Sequence, residues 1–67
     1  MISYDRFWET LKKKNITQYA LNKKYGVSTG LLDRMRGNEP MSLATVDKLC
    51  NLLGCEIQEI VEIIPDE

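Results

Sequence analysis

The 67-residue sequence predicts an all-α fold, a compact five-helix bundle, and three observations carry that expectation. Apolar residues recur at three- and four-residue spacing in every long segment. Ser3, Thr17, Ser28 and Ser42 stand ahead of the first four segments, where a hydroxyl can accept a free backbone N–H, and Gly26, Gly37 and Gly54 stand behind the second, third and fourth. No segment alternates apolar and polar residues as a half-buried strand would.

The first helix runs from a Ser3 cap to about Lys14, with Tyr4, Trp8 and Leu11 at i, i+4, i+7 and Phe7 beside Leu11. These aromatics belong to the core, because a stacking platform for single strands would spread them over an open surface. Lys12, Lys13 and Lys14 close the helix, either complementing its negative end or contacting phosphate. Ile16 precedes the Thr17 cap as a hydrophobic staple, and Ala20, Leu21 and Tyr25 give the second helix its apolar face. Gly26 ends it, since glycine takes the left-handed conformation that a sharp turn needs. Val27 requires cover between helices, and the third helix, Ser28 to Arg36, turns Leu32 and Met35 inward.

Asn38-Glu39-Pro40-Met41 forms a turn that Pro40 keeps from becoming helix. In the fourth helix, capped by Ser42, the residues Leu43, Val46, Leu49, Cys50 and Leu53 make one apolar stripe. A fifth helix from about Glu56 to Ile63 is expected from Ile57, Ile60, Val61 and Ile64 at i, i+3, i+4, i+7. Ile63 falls off that stripe, and the extra aliphatic residue marks the C-terminal helix as a surface for a homodimer.

A chain this short buries only about 60% of its unfolded surface, so residues 1–67 are read as a single domain with little room for a catalytic cleft. Its 43% hydrophobic and 28% charged composition is that of a globular protein. There is neither an apolar run long enough to span a membrane nor a signal-peptide core, which places the chain in the cytoplasm without a membrane partner. The net charge of −1 averages two unlike halves. Met1 to Arg36 holds eight Lys and Arg against three Asp and Glu, a net +5, and Gly37 to Glu67 holds one against seven, a net −6. A polyanion would therefore meet the first half. Cys50 and Cys55, with no histidine in the chain, cannot furnish a four-ligand zinc site and are read as buried free thiols.

The stretch Thr17 to Gly37 resembles the helix-turn-helix of the phage Cro and lambda-repressor class, which pairs a Gln near the start of one helix with a Gly-aliphatic-Ser turn. Gln18 and Gly26-Val27-Ser28 match that pattern, and the likeness continues through Pro40, Ser42-Leu43 and LCNLLGCEIQEI, from Trp8 to Ile64. The ending CEIQEIVEIIPDE is similar to that of small single-domain regulators often carried on prophages and mobile elements. The resemblance implies a lambda-repressor-like domain that binds double-stranded DNA and regulates transcription, as a repressor and a dimer, with helix 28–36 in the major groove. It also implies that Thr17 and Gln18 clamp the sugar-phosphate backbone on one side, and Ser28, Arg36 and Asn38 on the other.

The outward residues of that helix are Thr29, Gly30, Asp33 and Arg34, with Leu31 at the margin. Arg34 is the candidate base reader, since a guanidinium can bond guanine O6 and N7 together, and its alternative is a solvated surface arginine. Gly30 either lets the helix approach the DNA closely, leaving Thr29 and Leu31 to touch thymine methyls, or is a cheap first-turn glycine. Asp33 should pair with a neighbouring cation or accept from cytosine N4. With no nucleophile-base spacing, phosphate loop or metal set, an enzyme is not expected, and no cofactor or small-molecule ligand is implied. The alternative function is an antitoxin or protein-interaction module built on the same fold.

Overall fold

The computed structural model describes residues 1–66; Glu67, one of the acidic residues counted in the C-terminal half, lies outside the described residues. Four α-helices form where caps and periodicity place them: α1 (Asp5–Lys13), α2 (Gln18–Lys23), α3 (Thr29–Arg36) and α4 (Leu43–Leu53). Three of the expected caps are made. Thr17, Ser28 and Ser42 accept the backbone N–H of Ala20 at 3.0 Å, Leu31 at 3.1 Å and Thr45 at 3.2 Å, and each such cap is worth about 1 kcal/mol. Gly54 ends α4 at φ 63°, and the Cys55 N–H then bonds back to the Cys50 carbonyl. Ser3 is the exception. Tyr4 occupies the cap position of α1, while Ser3 sits in a strand with its hydroxyl taking the Asp5 N–H at 3.3 Å.

The expected fifth helix over Glu56–Ile63 does not form, which corrects the helix count to four in a domain that is mostly helical with one short strand pair. Ile57–Glu59 makes one 3-10 turn, with the Glu59 carboxylate accepting the Glu56 N–H at 3.2 Å. The chain then extends into strand β2 (Glu62–Ile63), antiparallel to β1 (Ile2–Ser3), with Ile2 opposite Ile63 and Ser3 opposite Glu62. The Met1 amino group and the Ile64 carbonyl, and the Ile64 N–H and the Met1 carbonyl, lengthen the pairing at 2.8 Å each. An Arg6–Glu62 bridge at 3.2 Å flanks it.

The physical reason lies in the residues that suggested a helix. Ile57, Ile60, Val61, Ile63 and Ile64 are all β-branched, stiff at χ1, and favour an extended backbone once a partner strand is available. The Thr10 hydroxyl also donates to the Glu59 carbonyl at 2.7 Å, drawing it away from a helical ladder. The C-terminal helix expected to carry a homodimer is therefore absent as a surface.

The core gathers Tyr4, Phe7 and Leu11 at α1, Leu21 from α2, Val27 from the turn, Leu32 and Met35 from α3, Leu49 and Leu53 from α4, and Ile60. Leu43, expected at the head of the α4 stripe, is 77% exposed, because the first helical residue projects beyond the packed face that begins at Val46. Tyr25 lies past the end of α2 on the surface, and Ile57 and Ile64 are likewise exposed. Trp8 is half-buried, its ring set edge-on to Phe7 at 4.9 Å, and Cys50 and Cys55 are half-buried free thiols rather than fully buried ones.

Candidate nucleic-acid interface

α2 and α3 are joined by a turn whose geometry comes from three local decisions. Gly26 takes φ 73°, which reverses the chain without a Cβ penalty. The Val27 N–H returns to the Leu21 carbonyl at 3.2 Å, placing the Val27 side chain in the core. Asn22 Nδ2 donates to the Val27 carbonyl at 2.8 Å, so a side chain of α2 braces the far side of the turn. Ser28 then caps α3.

The faces of α3 separate as the spacing requires. Leu32 and Met35 are buried, Leu31 is half-buried, and Thr29, Gly30, Asp33, Arg34 and Arg36 are exposed. Seven of the candidate residues line two hollows flanking the helix. On the α2 side, Gln18, Thr29, Asp33 and Arg36 line a cleft of about 270 Å³. On the α4 side, Ser28, Leu31 and Arg34 line a groove of about 340 Å³. Thr17 and Gln18 border a third hollow with Lys12 and Trp8, which brings one of the three consecutive lysines beside the start of α2. Asn38 stands apart from these. At φ 54°, it turns its Oδ1 inward to accept the Tyr4 N–H at 3.2 Å, and the Tyr4 hydroxyl donates to the Glu39 carbonyl at 2.5 Å.

Charge within the site is unevenly committed. Asp33 finds the cation that its position demanded, Arg36, at 2.5 Å. Arg36 also donates to Gln18 Oε1, and its guanidinium lies 5.5 Å from the centre of the Trp8 ring, a cation–π distance. Arg34, by contrast, has no acidic partner among the described residues, and its guanidinium is free for an external acceptor. No group of three or more His, Cys, Asp or Glu side chains converges on a metal position among the described residues.

Two residues of these hollows escaped the sequence reading. Tyr19, the second residue of α2, is 73% exposed beside Gln18 in the α2-side cleft. The signal was its position off the Ala20–Leu21 stripe, which puts an unpacked aromatic on the outer face. Lys48 of α4 lines the groove with Arg34, a proximity that depends on how α4 crosses α3 and that no local pattern encodes.

The family model of the Cro/C1-type helix-turn-helix DNA-binding domain matches residues 6–66. The chain belongs to that family. The crystal structure of the transcriptional regulator VanUg, form II, is similar to this Cro/C1-type domain with a TM-score of 0.83 at 28% identity, covering 97% of this chain and 87% of that one. No curated protein matches the sequence. The Cro/C1-type assignment makes the two-helix unit around Gly26 part of a DNA-binding, regulatory domain, with four α-helices where five were expected. No helix of the domain is long and apolar enough to cross a membrane among the described residues.

Proposed function

We propose that this chain is a single-domain, cytoplasmic transcriptional repressor that binds double-stranded DNA sequence-specifically by inserting α3 in the major groove. The observation that carries the reading is the division of α3: Leu32 and Met35 are buried, while Thr29, Gly30 and the unpaired Arg34 face outward from a helix of a width the groove admits. In this reading Arg34 bonds a guanine edge, Thr29 and Leu31 meet thymine methyls, Gly30 lets the backbone come close, and Asp33 stays neutralised by Arg36. Thr17, Gln18, Ser28 and Asn38 form the backbone-contacting set, and Arg36, which the resemblance adds to it, stands beside Gln18. Asn38 contributes through its amide nitrogen, because its oxygen is held by Tyr4. No enzymatic step is assigned to the chain.

Two copies on a two-fold-related site would double the phosphate contacts and space the half-sites by roughly 34 Å. Leu43, Ile57 and Ile63, which border an apolar hollow of about 280 Å³, supply the exposed face available for that pairing. The same face favours a second reading, an antitoxin or protein-interaction module that engages an apolar partner there.

Selection of bound sequences from a random duplex pool tests the proposal. A winning motif with inverted repeats is expected, and Arg34→Ala should weaken binding to it about tenfold or more, which is the loss of one bidentate base contact, while scrambled DNA is scarcely affected. Salt-sensitive binding without a motif would remove sequence reading, and a monomer by sedimentation with and without the winning duplex would remove the dimer.

A further inference from the structure

The surroundings of Arg36 constrain the neighbouring Gln18. Its guanidinium lies over Trp8 of α1 at 5.5 Å, pairs with Asp33 of α3 at 2.5 Å and donates to Gln18 of α2, so one side chain joins three helices. A guanidinium carries five donors and no acceptor, so the Gln18 atom facing it has to be the carbonyl oxygen. Turning the amide over would set N–H groups against N–H groups. The orientation of Gln18 is therefore dictated by chemistry: Oε1 faces inward to Arg36, and Nε2, with two N–H donors, faces away from it on an exposed residue. Holding two acceptors in different directions suits the planar fork of arginine and not the single ammonium of lysine.

We infer that Arg36 is a positioning residue of the DNA interface, held over Trp8 and tethered by Asp33, which locks the Gln18 carboxamide so that Nε2 meets a backbone phosphate that Arg36 itself does not take. This rests on the reading of α2 and α3 as a DNA-binding face. It changes the role that resemblance gave to Arg36, from a phosphate contact to the brace of one. It also explains why an arginine on a face meant for a polyanion is kept beside an aspartate.

The two roles differ in salt dependence and in additivity. A phosphate held by arginine releases a counterion, so its loss lowers the slope of log affinity against log salt by about one, whereas the neutral Gln18 contributes nothing to that slope. The test measures anisotropy on a scrambled duplex from 50 to 200 mM salt for wild type, Gln18→Ala, Arg36→Met and the double variant. Arg36→Lys and the charge-balanced pair Asp33→Asn with Arg36→Met complete the set.

Gln18→Ala is expected to weaken binding about tenfold, Arg36→Met by at least as much because it also leaves Asp33 unpaired, and the double variant no further than Arg36→Met alone. The charge-balanced pair keeps the wild-type slope, and Arg36→Lys fails to restore affinity. Losses that multiply in the double variant, rescue by lysine, or a slope reduced by about one in the balanced pair would overturn the brace while leaving DNA binding intact. Absence of duplex binding by the wild type would overturn the DNA-binding reading and the brace with it. Arg36 is about half exposed, so Arg36→Met should fold. Arg36→Gln runs the same cycle if thermal melting shows that it does not.

Discussion

At the scale of single residues, Gly30 separates the chain's own needs from those of a partner. A methyl group built on it meets nothing within 4 Å, and its backbone is not in the left-handed region, so neither packing nor conformation requires glycine there. Gly30→Ala should raise stability by roughly 0.5–1 kcal/mol in urea denaturation, since glycine in a helix costs about that much. The same substitution should weaken binding to a selected duplex severalfold, because the added methyl group stands on the exposed face that the proposed docking turns to the groove. Unchanged affinity would leave the cheap first-turn glycine as the explanation. Residue roles were legible in the sequence where they were local: the Thr17, Ser28 and Ser42 caps each act three residues away, and Asp33 meets Arg36 at i+3. The contacts of Arg36 with Gln18 and Trp8 were not, because they depend on three helices converging.

At the scale of elements, the C-terminal segment shows where periodicity and propensity conflict. Ile57, Ile60, Val61 and Ile64 have helical spacing and β-branched side chains, and tertiary context decided between them. That context is remote, since β2 pairs with two residues at the opposite end of the chain, and a two-residue strand at Ile2–Ser3 carries no alternation to recognise. Only Ile60 of the predicted stripe is fully buried. The Thr10 hydroxyl, itself buried, ties α1 to this segment through the Glu59 carbonyl. Thr10→Val keeps the shape and removes the donor, so it should lower stability by about 1–2 kcal/mol through an unpaired carbonyl. Hydrogen exchange should then quicken first at Ile60 and Val61, whose N–H groups bond within the turn. An unchanged denaturation midpoint would show that this tether carries no net stability.

At the scale of the whole molecule, two titratable groups drawn away from water bear on pH. Burial raises the Tyr4 hydroxyl above its ordinary range, and burial, then the neighbouring Cys50 and Glu59, raise the Cys55 thiol. Both groups are neutral when protonated, so the folded chain binds their protons more tightly than the unfolded chain. Their contribution is complete below the unfolded values, about 8.5 for a thiol and about 10 for a phenol, and is lost as pH rises through the raised folded values. Urea midpoints should be level with respect to these groups from pH 6 to 8 and fall above about pH 9. Cys55→Ala should remove the earlier part of the fall. The +5 and −6 halves act at the same scale: the N-terminal half keeps Lys12, Lys13, Lys14, Lys23, Lys24 and Arg34 outside any ion pair among the described residues, while Arg6 is committed to Glu62 and Arg36 to Asp33. The most direct test of the central claim, that α3 lies in the major groove, is intermolecular nuclear Overhauser contacts in a complex with the selected duplex. Contacts are expected from the Thr29 and Leu31 methyl groups to thymine methyl and base H5/H6 protons. Contacts confined to minor-groove protons, or none from α3 while the complex persists, would contradict it.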